Sequence, residues 1–321
     1  MLGAGVAALA GAVLLSLVAG GKPTPPPEVW RVFTGEADPY IVTVVESRVP
    51  RTVLGVIVGA ALALSGTLMQ GITRNPLADP GLLGVNAGAA AGVVTATALF
   101  GATSVTATVW WALPGALLAG LAAYSVGTRG GDAGLVRLVL AGAVVSAVLM
   151  AYVQAIALSM PDTFDSYRYW VVGSLAGRGF DVIGSVLPVI GVGVLLALIT
   201  MGGLNALALG EEAATATGAD TTWTRAAGLV AGVLLAAGAT AAAGPIAFVG
   251  LAVPHVVRAL VGVDFRVQVP FALLVGPTLL LLADVVGRTA VRPIELMVGV
   301  VTAFVGAPVL LYAVRKMRTT S

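Results

Sequence analysis

No cysteine and a single histidine, His255, occur among 321 residues. The first absence excludes disulfides, thiolate metal sites and cysteine nucleophiles. The second excludes multi-histidine metal centres, and no Ser-His or paired-Asp arrangement supports an intramembrane hydrolase. No catalytic or metal-binding residue is therefore assigned. Charge is also scarce: Asp, Glu, Lys and Arg together make up 10% of the chain, against roughly 25% in soluble domains. The 17 Lys+Arg and 15 Asp+Glu leave a net charge of +2. The basic residues are scattered, so no stripe exists to hold a nucleic acid. The phosphate-loop pattern G-x-x-x-x-G-K-[ST] is missing, and the Gly21-Lys22 pair runs straight into Pro23. The chain lacks the means to hydrolyse ATP by itself.

What fills the sequence instead is apolar. Hydrophobic residues make up 58%, with 42 glycines, and the mean hydropathy is +1.01. At about 20 residues per bilayer crossing, the length accommodates about ten spans with short loops. The apolar runs are continuous rather than alternating, which favours an all-α polytopic membrane protein over a transmembrane barrel. Abundant Gly and Ala suit helices that approach closely within lipid.

Along the chain, Leu2 to Gly20 reads as a retained first span, because its start lacks the basic residues of a signal peptide. Residues 21–49 form an outer loop: a stiff proline-rich linker over 21–27, then a short amphipathic helix from Asp38 to Ser47 with Asp38 as N-cap. Further spans are expected near 51–72, 82–100, 105–126, 135–158, 182–201, 223–243, 246–260, 269–286 and 296–314. The division at Gly244-Pro245 decides the parity of the whole topology. A tight loop is expected at Arg129–Asp132, and the hydrophilic stretch Pro161 to Phe180 carries interfacial aromatics. Residues 202–225 are long for a bundle connection yet rich in helix formers. They read as two short helices, Leu204–Leu209 and Glu211–Thr217, separated near Gly210 and ended at Gly218. Glu211 and Glu212 open the second, where the helix dipole favours negative charge. The basic residues divide almost evenly between the two sides, so the positive-inside signal is weak. The basic C-terminal end favours cytoplasmic termini.

Several motifs stand in a telling order. Arg48-Val49-Pro50-Arg51 leads into Gly59-Ala60-Ala61-Leu62-Ala63-Leu64-Ser65-Gly66 and Met69-Gln70. Asn75-Pro76-Leu77-Ala78-Asp79-Pro80-Gly81-Leu82-Leu83-Gly84 follows, then Leu207-Ala208-Leu209-Gly210-Glu211, Gly244-Pro245-Ile246-Ala247-Phe248, Pro254-His255 and Leu282-Ala283-Asp284. From about Arg48 to the C-terminus the sequence resembles the FecCD family, the permease subunits of type II ABC importers for iron–siderophores, heme and vitamin B12. The wording of the Asp79–Ala89 stretch is most similar to D-type permeases of ferric-enterobactin importers.

The resemblance implies a single permease domain over residues 1–321, multi-pass in a bacterial inner membrane, surrounded by lipid and binding no nucleic acid. It implies a second permease subunit, a paralogue in preference to a second copy of this chain. It also implies two cytoplasmic ABC ATPase subunits that use ATP and Mg, and an extracytoplasmic substrate-binding protein. The chain itself would bind no cofactor. ATPase coupling would fall on Leu204, Leu207, Leu209, Gly210, Glu211, Glu212 and Gly218, against the alternative of a solvated loop. Arg48, Arg51 and Arg288 would dock glutamates of the binding protein, since the guanidinium fork matches a carboxylate; lipid anchoring is the alternative. Asn75, Leu77, Leu135 and Val136 would flank a cytoplasmic gate, against a turn that merely caps a helix. His255 reads as structural rather than as a heme ligand. Heme or vitamin B12 remain alternative cargoes. An ion-driven secondary transporter is the competing class, disfavoured because the spans lack mid-membrane acids and lysines.

Overall fold

A computed structural model describes residues 1–21, 23–127, 134–291 and 294–318, without the side chains of Phe33, Leu135 and residues 309–318. The expected Arg129–Asp132 loop, Lys22, Arg292 and the basic side chains of the C-terminal end lie outside the described residues. The helices are α1 (Leu2–Val18), α2 (Pro26–Thr34), α3 (Pro39–Thr73), α4 (Val85–Phe100), α5 (Val105–Gly127), α6 (Gly134–Ser159), α7 (Pro161–Trp170), α8 (Phe180–Ala208), α9 (Glu211–Ala216), α10 (Thr221–Ala243), α11 (Val249–Val261), α12 (Phe265–Thr289) and α13 (Val298–Arg318). A 3-10 turn, Pro80–Leu83, precedes α4. Six helices are long and apolar enough to cross a membrane (α3, α5, α6, α8, α10 and α12), and α1, α4, α11 and α13 are shorter apolar ones. The fold is that of a ten-span, all-α membrane protein, with α2, α7 and α9 as short surface helices.

Three boundaries differ from the sequence expectation, each for a local reason. The proline run does not stay extended: Pro26 opens α2. A proline in the first helical turn loses only an N–H that has no partner there. The amphipathic helix after Asp38 and the span after Arg51 are one helix, α3. Asp38 caps it as expected, accepting from the Tyr40 amide at 2.8 Å, and Pro50 sits inside it. Pro50 removes a bond to the Glu46 carbonyl, and Glu46 lies on an exposed turn where water can serve that acceptor. The helix expected at Leu204–Leu209 is the last part of α8, which runs unbroken through Gly202 and Gly203. The break at Gly244-Pro245 is present: Gly244 has φ 77° and α11 begins only at Val249.

Helix α3 forms the centre. Its apolar window is 78% buried, as is that of α10, whereas α6 and α8 bury 22% and 33% of theirs. Backbones meet where side chains are missing. A Cβ on Gly59 would lie 2.7 Å from the Pro277 Cα on α12, and one on Gly66 would fall into the Gly250 backbone of α11. Gly88 of α4 and Gly115 of α5 repeat the arrangement. The α3 hydroxyl Ser65 Oγ donates to the Gly232 carbonyl of α10 at 2.6 Å. In lipid such contacts replace the water-driven effect as the source of helix association.

Gly66→Val should therefore separate α3 from α11. The expected cost exceeds the ~1–3 kcal/mol typical of overpacking, because the obstacle is backbone. Thermal unfolding in detergent should fall well below wild type, whereas Gly11→Val, with open space around its Cβ position, should leave it unchanged.

Candidate functional site

Chemistry concentrates at the two ends of the bundle. At the end reached by the C-termini of α1 and α12, three arginines and two acids meet. Arg51 of α3 donates from Nη2 to Asp284 Oδ1 at 2.8 Å and from Nε to Oδ2 at 3.1 Å. Its Nη1 donates to Glu295 Oε2 at 2.9 Å. Arg288, one turn beyond Asp284 on α12, brings its Nε to 3.1 Å from Asp284 Oδ2. Arg288 also donates to the Ser16 carbonyl and to Ser16 Oγ, both at 3.0 Å. Arg48 Nη1 donates to the Leu17 and Val18 carbonyls at 2.7 and 3.0 Å, and to Thr24 Oγ1 at 3.2 Å. Two guanidinium groups thus satisfy the open carbonyls at the end of α1, which a helix cannot satisfy for itself.

Burial separates these groups sharply. The side chains of Asp284 and Arg288 are 1% and 2% exposed, that of Arg51 13%, and that of Glu295 43%. The sequence-predicted docking residues Arg48, Arg51 and Arg288 are thus brought together, but as an internal network joining α1, α3 and α12. Sequence reasoning missed Asp284 and Glu295 as their partners. One signal was available: Asp284 and Arg288 stand four apart, on one helix face, in a span that has no other charge between them.

At the opposite end, α8 carries the predicted coupling residues past its last buried turn. Leu204 and Leu207 are buried, so they support the element rather than face outward. Leu209 is 71% exposed, Gly210 turns the chain with φ 119°, and α9 starts at Glu211. Glu211 does more than favour the helix dipole: both its oxygens accept from Arg225 of α10, at 3.1 and 2.8 Å. Glu212 is exposed, and Gly218 closes α9 with φ 79°. The elbow is also tied sideways. Asn205 Nδ2 donates to Asp264 Oδ1 at 2.6 Å, and Asn205 Oδ1 accepts from the Phe265 amide at 2.8 Å. Asp264 lies outside the spans, and the Arg266 amide and Asn205 hold its carboxyl below the usual carboxylate range.

The predicted gate turn follows α3. Arg74 adopts φ 49° and its guanidinium donates to the Leu207 carbonyl, so this turn is fastened to the elbow. Asn75 Oδ1 accepts from the Leu77 amide at 2.9 Å, the geometry of a helix-ending Asx turn, and Leu77 is 44% exposed. His255 lies half-buried on α11. Helix α6 meets this region through the 3-10 turn, where Gly142 lies against the Leu82 backbone. Val136 is exposed at the start of α6, and the Leu135 side chain lies outside the described residues. Among the described residues no group of three or more His, Cys, Asp or Glu could hold a metal ion.

The FecCD transport family model matches residues 8–316. The chain belongs to this family. It is 46% identical to the ferric enterobactin transport system permease protein FepD of Escherichia coli, over 95% of this chain and 92% of that one. It is 38% identical to the Fe(3+)-citrate import system permease protein YfmD of Bacillus subtilis, over 89% and 85% respectively. In structure it is similar to a chain described as an inward-facing conformation of a metal-chelate type ABC transporter, with TM-score 0.82, 27% identity and 98% of each chain covered.

The ion network makes a stability prediction. Asp284→Asn leaves Arg51 and Arg288 buried without their shared anion, and breaking such a pair costs about 3–5 kcal/mol. The variant should unfold at clearly lower temperature in detergent than wild type. Glu212→Gln, at an exposed site with no ion pair among the described residues, should shift the midpoint little.

Proposed function

We propose that the chain is the permease subunit of an ATP-driven importer for an iron–siderophore complex, and forms half of the translocation pathway. The observation that carries this reading is the family match over nearly the whole chain, together with 46% identity to a ferric enterobactin permease. Residues 1–321 act as a single permease domain in a bacterial inner membrane, with both termini in the cytoplasm. The second half of the pathway comes from another permease, a paralogue in preference to a second copy. Two ABC ATPase subunits supply hydrolysis of ATP with Mg, and this chain holds no cofactor of its own.

Coupling is assigned to the elbow. Leu209, Gly210 and Glu212 form its outward side, Leu204 and Leu207 hold it from beneath, and the Glu211–Arg225 pair and Gly218 fix the ends of α9. A short helix braced at both ends moves as a unit when a partner pushes on it, which suits transmission of ATPase closure. The gate is assigned to Asn75 and Leu77 with Leu135 and Val136, closing by an apolar constriction that excludes water. Support for linking gate to elbow is the Arg74 bond to the Leu207 carbonyl. Docking of the binding protein is assigned to the arginine end. Arg51 is the least buried of the three, and Arg48 and Arg288 add positive charge beside it.

The direct test is uptake into vesicles holding the assembled importer, given a radiolabelled ferric siderophore and its binding protein. Uptake should require ATP and survive collapse of ion gradients. Uptake that follows an ion gradient without ATP would overturn the reading in favour of a secondary transporter. Leu209→Asp should leave membrane insertion intact while lowering ATPase association and uptake at least tenfold. Robust uptake with this chain as the sole permease would show that two copies suffice.

A further inference from the structure

The arginine cluster contains one member that differs from the rest. Asp284 is buried and grips Arg51 through two of its donors. Glu295 holds the third donor, Arg51 Nη1, from the surface, with its side chain 43% exposed. It belongs to no helix and lies in the connection between α12 and α13. Its carboxylate therefore occupies the outward-facing corner of Arg51, where an external carboxylate would have to bind.

We propose that Glu295 is an internal stand-in for the binding protein's carboxylate, and that docking exchanges one for the other on Arg51 Nη1. This rests on the assignment of the arginine end as the docking face. The exchange costs little on the protein side. An ion pair with an exposed partner contributes little, and Asp284 keeps Arg51 oriented throughout. Charge favours it as well: Arg48, Arg51 and Arg288 outnumber Asp284 and Glu295, so displacing Glu295 from the contact leaves a cation that an incoming acid can neutralise. Without a partner, Glu295 lowers the affinity of the face for unrelated anions.

The released segment has somewhere to pass its movement. The Leu296 amide donates to the Gly287 carbonyl at 2.9 Å, and Gly299, in the first turn of α13, donates to the Gly173 carbonyl at 3.2 Å. Farther along α13, Gly306 lies against Phe248, a non-glycine residue with φ 69° at the start of α11. Exchange at Glu295 thus bears on α13 and, through it, on the broken helix.

The test is the affinity of the purified importer for its binding protein, measured against salt. Glu295→Gln keeps the size of the side chain and removes the competing charge. Affinity should rise about two- to fivefold at low ionic strength, the scale of an exposed pair. The gain should vanish at 1 M salt, where screening reaches about 3 Å. A merely structural role for Glu295 would lower affinity at every salt concentration. Unchanged or weakened binding in Glu295→Gln, with binding still lost in Arg51→Gln, would overturn the exchange while leaving the docking face standing. Unchanged binding in a folded Arg51→Gln importer would overturn the docking assignment and the exchange with it.

Discussion

Helix α3 can occupy the middle of an apolar bundle because its neighbours touch it at the backbone. Lipid is as apolar as leucine, so burying leucine against leucine gains little there, and contact depends on dispersion and on polar bonds between helices. Gly59 meets the Gly276-Pro277 turn of α12, and Gly66 meets Gly250 of α11. These contacts set what else α3 can do. Once α11 lies that close, Gln70 Nε2 reaches the Leu251 carbonyl at 3.3 Å. Non-helical backbone is tolerated at membrane depth where protein surrounds it or where it lines a water-filled cavity; of residues 244–248, Gly244 and Ile246 are buried and Ala247 is exposed. The Ser174 amide donates to the Ala243 carbonyl at 2.7 Å, and Gly244 is packed on Trp170.

The same constraint decides where charge can go. A single buried carboxylate, Asp284, holds two guanidinium groups, and the surplus donors end on carbonyls of α1. A buried pair of this kind contributes orientation more than net stability. What it orients is the helix ends: α1 is tied to α3 through Arg48 and the Ser16–Thr52 hydroxyl contact, and to α12 through Arg288. Each arginine of the cluster therefore carries two tasks, fixing a helix end and keeping positive charge near the surface. Arg51 can do both because Nε and Nη2 grip the buried Asp284 while Nη1 reaches the exposed Glu295.

Much of this was legible in the sequence. Ten apolar segments, the Gly244-Pro245 break, the Asp38 cap and the start of α9 at Glu211 follow from composition, turn residues and capping rules. Continuity was less legible. Pro50 reads as a boundary, yet α3 passes through it because the bond it breaks belongs to an exposed turn. Gly202-Gly203 reads as a breaker, yet α8 continues because Gly203 packs closely on Thr224. Both outcomes depend on what lies beside the helix, which periodicity does not record. The arginines stood together through the family resemblance, which implies an outward docking set rather than a buried network. Burial reverses that reading for Arg48 and Arg288: the Leu17 and Val18 carbonyls and Thr24 hold Arg48, and Asp284 and Ser16 hold Arg288.

The two ends of the molecule are joined by the same pair of helices. Helices α3 and α12 share Arg51 and Asp284 at one end. At the other, α3 is followed by Arg74, bonded to the Leu207 carbonyl, and α12 is preceded by Asp264, bonded to Asn205. Both contacts fall on the last turns of α8, just before the elbow. Between the ends, α3 and α12 meet at Gly59 and Gly276, where sliding would drive backbone into backbone. Close-packed interfaces of this kind respond as rigid bodies with few alternative arrangements. Bending must then occur where the helices are interrupted. Two such places carry non-glycine residues with positive φ, Arg74 at 49° and Phe248 at 69°. Strain there persists only because surrounding structure enforces it, and both residues touch the elements that lead to the ends: Arg74 the elbow, Phe248 the helix that descends from Glu295.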